Sequence, residues 1–200
     1  MNFSKSILVV LSIVTLLSAC GEPSKDQGDT HFSRGNYEAA VEAYDSYLES
    51  NPRNVKSLYN RGRAHEELGN LEEAESDFKK AYELDNQNVQ VLMSLSNLYQ
   101  KQKNHTSALL YADYAVELPG APAMAYFLKA RALHQLGNTD EAMREYSAAI
   151  KNDKDFAQAY YYRGLLKLGT KQVKGGCGDI NLAVSMNYTP AQAAKDKYCN

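Results

Sequence analysis

A 34-residue period runs through this 200-residue chain without insertion or deletion. Ala40, Ala74, Ala108, Ala142 and Gly176 stand one period apart, and so do Gly28, Gly62, Ser96, Ala130 and Gly164. A third column, Tyr47, Ala81, Ala115, Ala149 and Ala183, keeps the same step. A chain with such self-similarity stacks copies of one supersecondary unit, each too small to bury its apolar face alone, into a continuous core. Activity in such a molecule is sought on its surface.

Larger side chains repeat between the small ones: Tyr44, Phe78 and Tyr146 share a column that Ala112 interrupts and Ile180 closes. Gly35, Gly69 and Gly137, each followed by Asn, fall where the first helix of a unit must end, a place where a left-handed residue costs glycine least. Pro52 marks a turn between units whose later counterparts are Asn86, Gly120 and Lys154. In period and in the placing of its small residues the chain resembles the tetratricopeptide repeat family over nearly all of its length after the first twenty or so residues. The resemblance implies an all-α fold: a right-handed superhelix, or α-solenoid, of five helix-turn-helix repeats plus a C-terminal capping helix. The units are expected near 21–54, 55–88, 89–122, 123–156 and 157–190, with the cap over 190–199, so that the repeat domain occupies 25–200.

Residues 1–19 read as a separate object. Lys5 precedes an apolar run from Ile7 to Leu17, too short to span a bilayer comfortably, and small residues follow it, the pattern of a secretory signal peptide. Leu17-Ser18-Ala19-Cys20 resembles the lipobox of bacterial lipoproteins, which implies that Cys20 becomes a lipidated N-terminus. An ordinary signal peptide or an uncleaved anchor are the alternatives. Several acyl chains (palmitate among them) hold a protein on a membrane stably, where one alone binds marginally. Gly21 in place of Asp resembles the sorting pattern of Gram-negative outer-membrane lipoproteins. Residues 20–24 would form a short tether, and Ser24 with Gln27 a capping box that starts a helix at Lys25. The expected location is the outer membrane, facing the periplasm.

The chain carries 22 Lys plus Arg against 24 Asp plus Glu, a balance that argues against nucleic acid as a main partner. The balance hides a gradient. Residues 21–54 hold three basic and seven acidic side chains, residues 157–200 six basic and two acidic. Such polarity either steers an acidic partner to the C-terminal end or is an unevenly charged solvated surface.

Cys177 and Cys199 make an even pair in a chain that a signal peptide would send to an oxidising compartment. If the last repeat helix runs from about Lys174 to Met186 and turns near Asn187 to Pro190, a hairpin centred on residue 188 sets the two cysteines opposite each other. A disulfide is expected there. It would compensate for Gly175, Gly176 and Gly178, each of which disfavours helix by about 1 kcal/mol relative to Ala. Those glycines form no phosphate-binding loop, because no GxxxxGK[ST] pattern follows a strand.

No catalytic constellation is legible, and an enzyme is not expected. His31 and His65 share a column where many repeats carry Tyr, and so read as packed rings rather than bases. Glu66-Glu67 and Glu72-Glu73 read as helix surface. The spacing suggests neither a metal site nor a cofactor, and no small-molecule substrate is indicated.

The resemblance implies that the first helices line a concave groove. Its residues would be Tyr59 and Arg63, Met93 and Asn97, Phe127 and Arg131, and Tyr161, Tyr162 and Leu165. Tyr, Phe, Met and Arg are types enriched in interface cores, although about half of this set is expected to pack against the neighbouring repeat instead. A clamp for a C-terminal carboxylate, known in the family, fails residue by residue: Lys25 and Asn60 match, but Asp29, Gln90 and Ser94 stand where Asn, Lys and Arg are wanted. A more apolar peptide or a partner helix suits the groove better. The expected function is that of a lipid-anchored adaptor that holds a protein partner and assists assembly of an outer-membrane complex. A self-assembling envelope protein and a regulator that recruits a peptidoglycan enzyme are the alternatives.

Overall fold

The computed structural model describes residues 25–199, and these form eleven α-helices. The expected signal peptide, Cys20, the expected tether and Ser24, the expected capping residue, lie outside them. Five antiparallel pairs follow in order: α1 (Lys25–Ser33) with α2 (Tyr37–Ser50), α3 (Val55–Glu67) with α4 (Leu71–Leu84), α5 (Val89–Lys101) with α6 (His105–Glu117), α7 (Ala123–Gln135) with α8 (Thr139–Asn152), and α9 (Ala157–Gly169) with α10 (Val173–Ser185). A last helix, α11 (Thr189–Tyr198), packs on α10. Each helix lies against its neighbours in sequence, as an α-solenoid requires.

The small columns exist because helices approach closely there. A Cβ added to Gly62 would come within 2.7 Å of the Phe78 ring, and one on Gly164 within 3.0 Å of Ile180 and of the Gly176 carbonyl. Gly28 meets the ring of Tyr44 in the same way. The large column of one helix thus sits over the small column of its partner, and Tyr44, Phe78, Ala112, Tyr146 and Ile180 are all fully buried. Ser96, the polar member of the small column, donates its hydroxyl to the Ala108 carbonyl at 2.8 Å, which satisfies it within the core.

The turn inside every pair has one geometry. Gly35, Gly69 and Gly137 have φ of +76°, +81° and +84°, and the same column carries Lys103 at +60° and Lys171 at +64°. In each turn the following residue returns its N–H to a carbonyl five positions back, as Asn36 does to His31 and Asn104 to Tyr99. This closure satisfies carbonyls that the helix end leaves open. Turns between pairs are capped differently: Asn54 accepts from the Ser57 N–H at 2.9 Å, and Asn88 from those of Gln90 and Val91.

Cys177 and Cys199 are joined by a disulfide, with α10 and α11 forming the hairpin that brings them together. Pro190 sits in the first turn of α11, where its missing N–H costs nothing.

Candidate functional site

The inner face of the solenoid is built by first helices. Between α3, α5 and α7 lies a cleft of about 410 Å³ whose walls include Tyr59, Arg63 and Glu66 from α3, Met93, Asn97 and Lys101 from α5, and Met124 and Leu128 from α7. Helical spacing explains the set. Tyr59, Arg63 and Glu66 follow at four and three residues, as do Met93, Asn97 and Lys101 at four and four, so each helix turns one stripe to the cleft.

Its floor is apolar and its rim mixed in charge. Leu128 is buried, while Met124 is 39% exposed. The Arg63 guanidinium stands 4.9 Å from the Phe32 ring, a cation–π contact that holds it at the mouth. Glu66 accepts from Asn97 Nδ2 at 3.2 Å and pairs with Lys101 Nζ at 2.7 Å. The Glu66 side chain is only 12% exposed, so it belongs to the cleft and departs from the helix-surface reading.

Tyr59 and Gln90 also border an adjoining cleft of about 380 Å³ with Val55, Lys56, Asn60 and Asn88. Beside it, Asp29 accepts three hydrogen bonds: from Tyr44 Oη at 2.6 Å, from Asn60 Nδ2 at 2.8 Å and from Lys56 Nζ at 2.8 Å. Partial burial works to raise the Asp29 pKa, but the bonds from Lys56, Tyr44 and Asn60 outweigh it and hold the carboxyl below its ordinary value. Asn60, one of the two residues that match a carboxylate clamp, therefore already serves a carboxylate of its own chain.

The other expected groove residues are placed elsewhere. Phe127 is corrected from groove to core: it is 2% exposed, its ring 5.0 Å from Phe156, 5.7 Å from Tyr162 and 5.9 Å from Tyr146. The reason is that Tyr146 of α8 and Phe156 and Tyr162 at α9 close around the ring and bury it. Arg131 lies over both the Phe127 and Tyr162 rings at 5.9 Å, and Tyr161 packs on Tyr188 at 5.2 Å. Phe127, Arg131, Tyr161 and Tyr162 form a second cluster, and Leu165 lines a different pocket near the C-terminus.

Sequence reasoning missed a set of ion pairs between helices. Arg61 donates Nε and Nη2 to the two oxygens of Asp77 at 2.7 and 2.6 Å and Nη1 to Asp45 at 2.6 Å. Three periods on, Arg163 makes the same two-point contact with Asp179 and reaches Ser147. Lys129 bridges Asp113 and Glu145 in the unit between. The signal was available as a cation followed sixteen residues later by an acid in three units.

Among the described residues no group of three or more His, Cys, Asp and Glu side chains could hold a metal ion, and no helix is long and apolar enough to cross a membrane. His31 and His65 have buried Nδ1 atoms with no hydrogen-bond partner, which fits packed rings.

A tetratricopeptide repeat family model matches residues 25–89, and a second, described as a TPR repeat, matches residues 130–169. The DnaJ homolog subfamily C member 3 homolog of Dictyostelium discoideum is 24% identical over 198 residues, covering 91% of this chain and 39% of that protein. Among solved structures, MamA superposes with a TM-score of 0.73 at 23% identity, covering 82% of this chain and 96% of that one. YrrB, described as a TPR protein with an unusual peptide-binding site, superposes with a TM-score of 0.70 at 24% identity, covering 84% and 88%. The chain spans from 17% to 39% of the length of the first curated relatives it matches.

Proposed function

Since the chain belongs to the tetratricopeptide repeat family, a scaffold for protein interaction, we propose that it is an adaptor that binds a segment of a partner protein in the cleft between α3, α5 and α7. The observation that carries this reading is the convergence of Tyr59, Arg63, Met93 and Asn97, from two successive repeats, on one cleft with an apolar floor. Tyr59 and Met93 offer apolar contact area, while Arg63 and the Glu66–Lys101 pair fix polarity and register at the rim. A short amphipathic helix or an extended segment with one or two apolar anchors fits such a surface.

The adaptor acts at the cell envelope in this proposal, held by lipid on Cys20 and facing the periplasm from the outer membrane, where it assists assembly of a membrane complex. The support is the lipobox-like Leu17-Ser18-Ala19-Cys20 and the disulfide, which suits an oxidising compartment.

A photo-crosslinking amino acid placed at position 59, 63, 93 or 97 is expected to capture one and the same protein from cells, with position 72 or 144 on the second helices as controls. Capture from the control positions alone contradicts the groove assignment. Cys20→Ser is expected to release the protein from membranes or leave its precursor unprocessed, and unchanged lipid incorporation refutes the anchor.

A further inference from the structure

The geometry points to a second binding site, separate from the inner cleft: a lysine-rimmed apolar pocket at the C-terminal end that takes an apolar side chain from an acidic peptide segment. The pocket has a volume of about 350 Å³ and is lined by Leu165, Leu168, Gly169, Val173 and Tyr198. Two of its walls stand open, for Val173 is 56% and Tyr198 47% exposed. Exposed large apolar side chains grouped around a concavity mark an interaction site more than the same residues scattered singly.

Charge selects the occupant. Lys171 and Lys174 are exposed on either side of Val173 in the chain, and Lys197 Nζ lies 4.9 Å from the centroid of the Tyr198 ring. Asp179 does not offset them at the surface. It is 5% exposed and holds Arg163 through both oxygens and Lys167 Nζ at 2.8 Å. Asp196, the acid of α11, takes a hydrogen bond from Gln192 at 2.7 Å. Outside that Asp179 network residues 157–200 keep four lysines, Lys171, Lys174, Lys195 and Lys197, against Asp196, and a segment carrying Asp or Glu around a Leu or Phe complements both the excess of positive charge and the apolar hole.

The disulfide has a part in this site. Tyr198 is the last residue of α11, and the bond from Cys199 to Cys177 ties it to α10 so that its ring stays as a wall. Fixing the wall in advance removes an ordering cost from binding.

Fluorescence anisotropy on the full chain tests the proposal, with a labelled peptide of Glu and Asp residues around a central Leu-Phe pair as probe. Controls carry Lys in place of the acids, or Ser in place of Leu-Phe. The acidic apolar peptide is expected to bind at least about tenfold more tightly than either control, and K171E with K174E to weaken it by about tenfold or more, increasingly at low salt. Tyr198→Ala and the pair Cys177→Ser, Cys199→Ser weaken it while helical content is kept. Tyr59→Ala, in the inner cleft, leaves it unchanged, which separates this site from the groove. Equal binding of the Lys peptide, or indifference to both the lysine and the Tyr198 changes, overturns the proposal. So does binding of anionic phosphatidylglycerol vesicles without the peptide, or a lysine-dependent dimer seen by sedimentation with no peptide binding.

Discussion

Arg61 grips both oxygens of Asp77 from the facing helix of its own repeat, and the carboxylate it holds is almost wholly removed from solvent, with 4% of its side chain exposed. The third guanidinium nitrogen reaches back to Asp45, so one side chain ties α2, α3 and α4. In the next repeat the equivalent positions carry Leu95 and Tyr111, and the joint there is apolar: Tyr111 packs on Tyr82 and Tyr99 at 5.6 Å. The solenoid thus makes the same joint in two chemistries.

Breaking such a pair differs from replacing it. Removing Asp77 alone leaves a guanidinium that is 17% exposed with Asp45 as its one remaining acid, and Asp77→Ala is expected to cost about 2–3 kcal/mol. The double change R61L with D77Y copies the neighbouring repeat and is expected to cost much less than the sum of its single changes. Urea unfolding of the two single variants and the double variant decides. Additive losses would show that the pair has no coupling worth the name.

Lys103 and Lys171 occupy a left-handed turn position that glycine fills in the other three repeats. A side chain there carries a steric cost, and each Lys→Gly change is expected to stabilise by up to about 1 kcal/mol, despite the greater freedom glycine has when unfolded. The two sites are far apart in sequence and share no partner, so their gains should add. Thermal melts that fall for both variants would show that the lysines make compensating contacts.

The glycines at the start of α10 are expected to part company on substitution. Nothing lies within 4 Å of a Cβ built on Gly178, whereas one on Gly176 meets Leu168 at 2.8 Å and the Gly164 carbonyl at 2.9 Å. Gly178→Ala therefore gains helix propensity of about 1 kcal/mol, while Gly176→Ala forces α9 and α10 apart and loses more than it gains. Denaturant midpoints that move the same way for both variants contradict this.

These cases show where sequence was legible. The small columns declared themselves because a helix crossing tolerates no Cβ at Gly62 or Gly164, and that steric demand repeats with the period. The start of each later unit, at Val55, Val89, Ala123 and Ala157, followed from the same phase. The terminal disulfide was readable from an even pair of cysteines, an expected oxidising compartment and the hairpin length taken together. Less was readable at the groove. Column position placed Phe127 on the inner face, but whether an aromatic side chain faces solvent or folds down against its neighbours depends on the residues opposite, here Tyr146, Phe156 and Tyr162. Glu66 was missed for the converse reason: its partners Asn97 and Lys101 come from the next repeat, a contact that no single helix reveals.

Reduction tests the closing hairpin. The disulfide spans a separation of 22 residues, and a loop of that size corresponds to about 3 kcal/mol of stabilisation by chain entropy. In Cys177→Ser with Cys199→Ser the loss should concentrate in α11, whose contacts are with α10 and, more sparsely, α9. Hydrogen exchange is expected to accelerate over Thr189–Tyr198 and to change little in α3 and α5. Uniform acceleration along the chain would mean that the staple acts on the whole solenoid.

Acid weakens the joints among the first three repeats. Asp29 and Glu75 both sit below their ordinary pKa: burial opposes this in each, but donors outweigh it, namely Lys56, Tyr44 and Asn60 for Asp29 and Lys79, Gln102 and Tyr99 for Glu75. A carboxyl depressed in the folded state adds stability that is fully present above its unfolded value, about 4, and is lost as pH falls through the lower folded value. Asp29→Asn keeps an acceptor for Tyr44 but loses the charge that holds Lys56, so it should be less stable than the parent at neutral pH. The gap should begin to narrow as pH falls below about 4, the unfolded value, and close once the parent's folded carboxyl has also taken up its proton. Melting curves of both proteins between neutrality and about pH 3 measure it. A gap that stays constant across that range would show that the charge of Asp29 contributes nothing and that its hydrogen bonds alone join α1, α2 and α3.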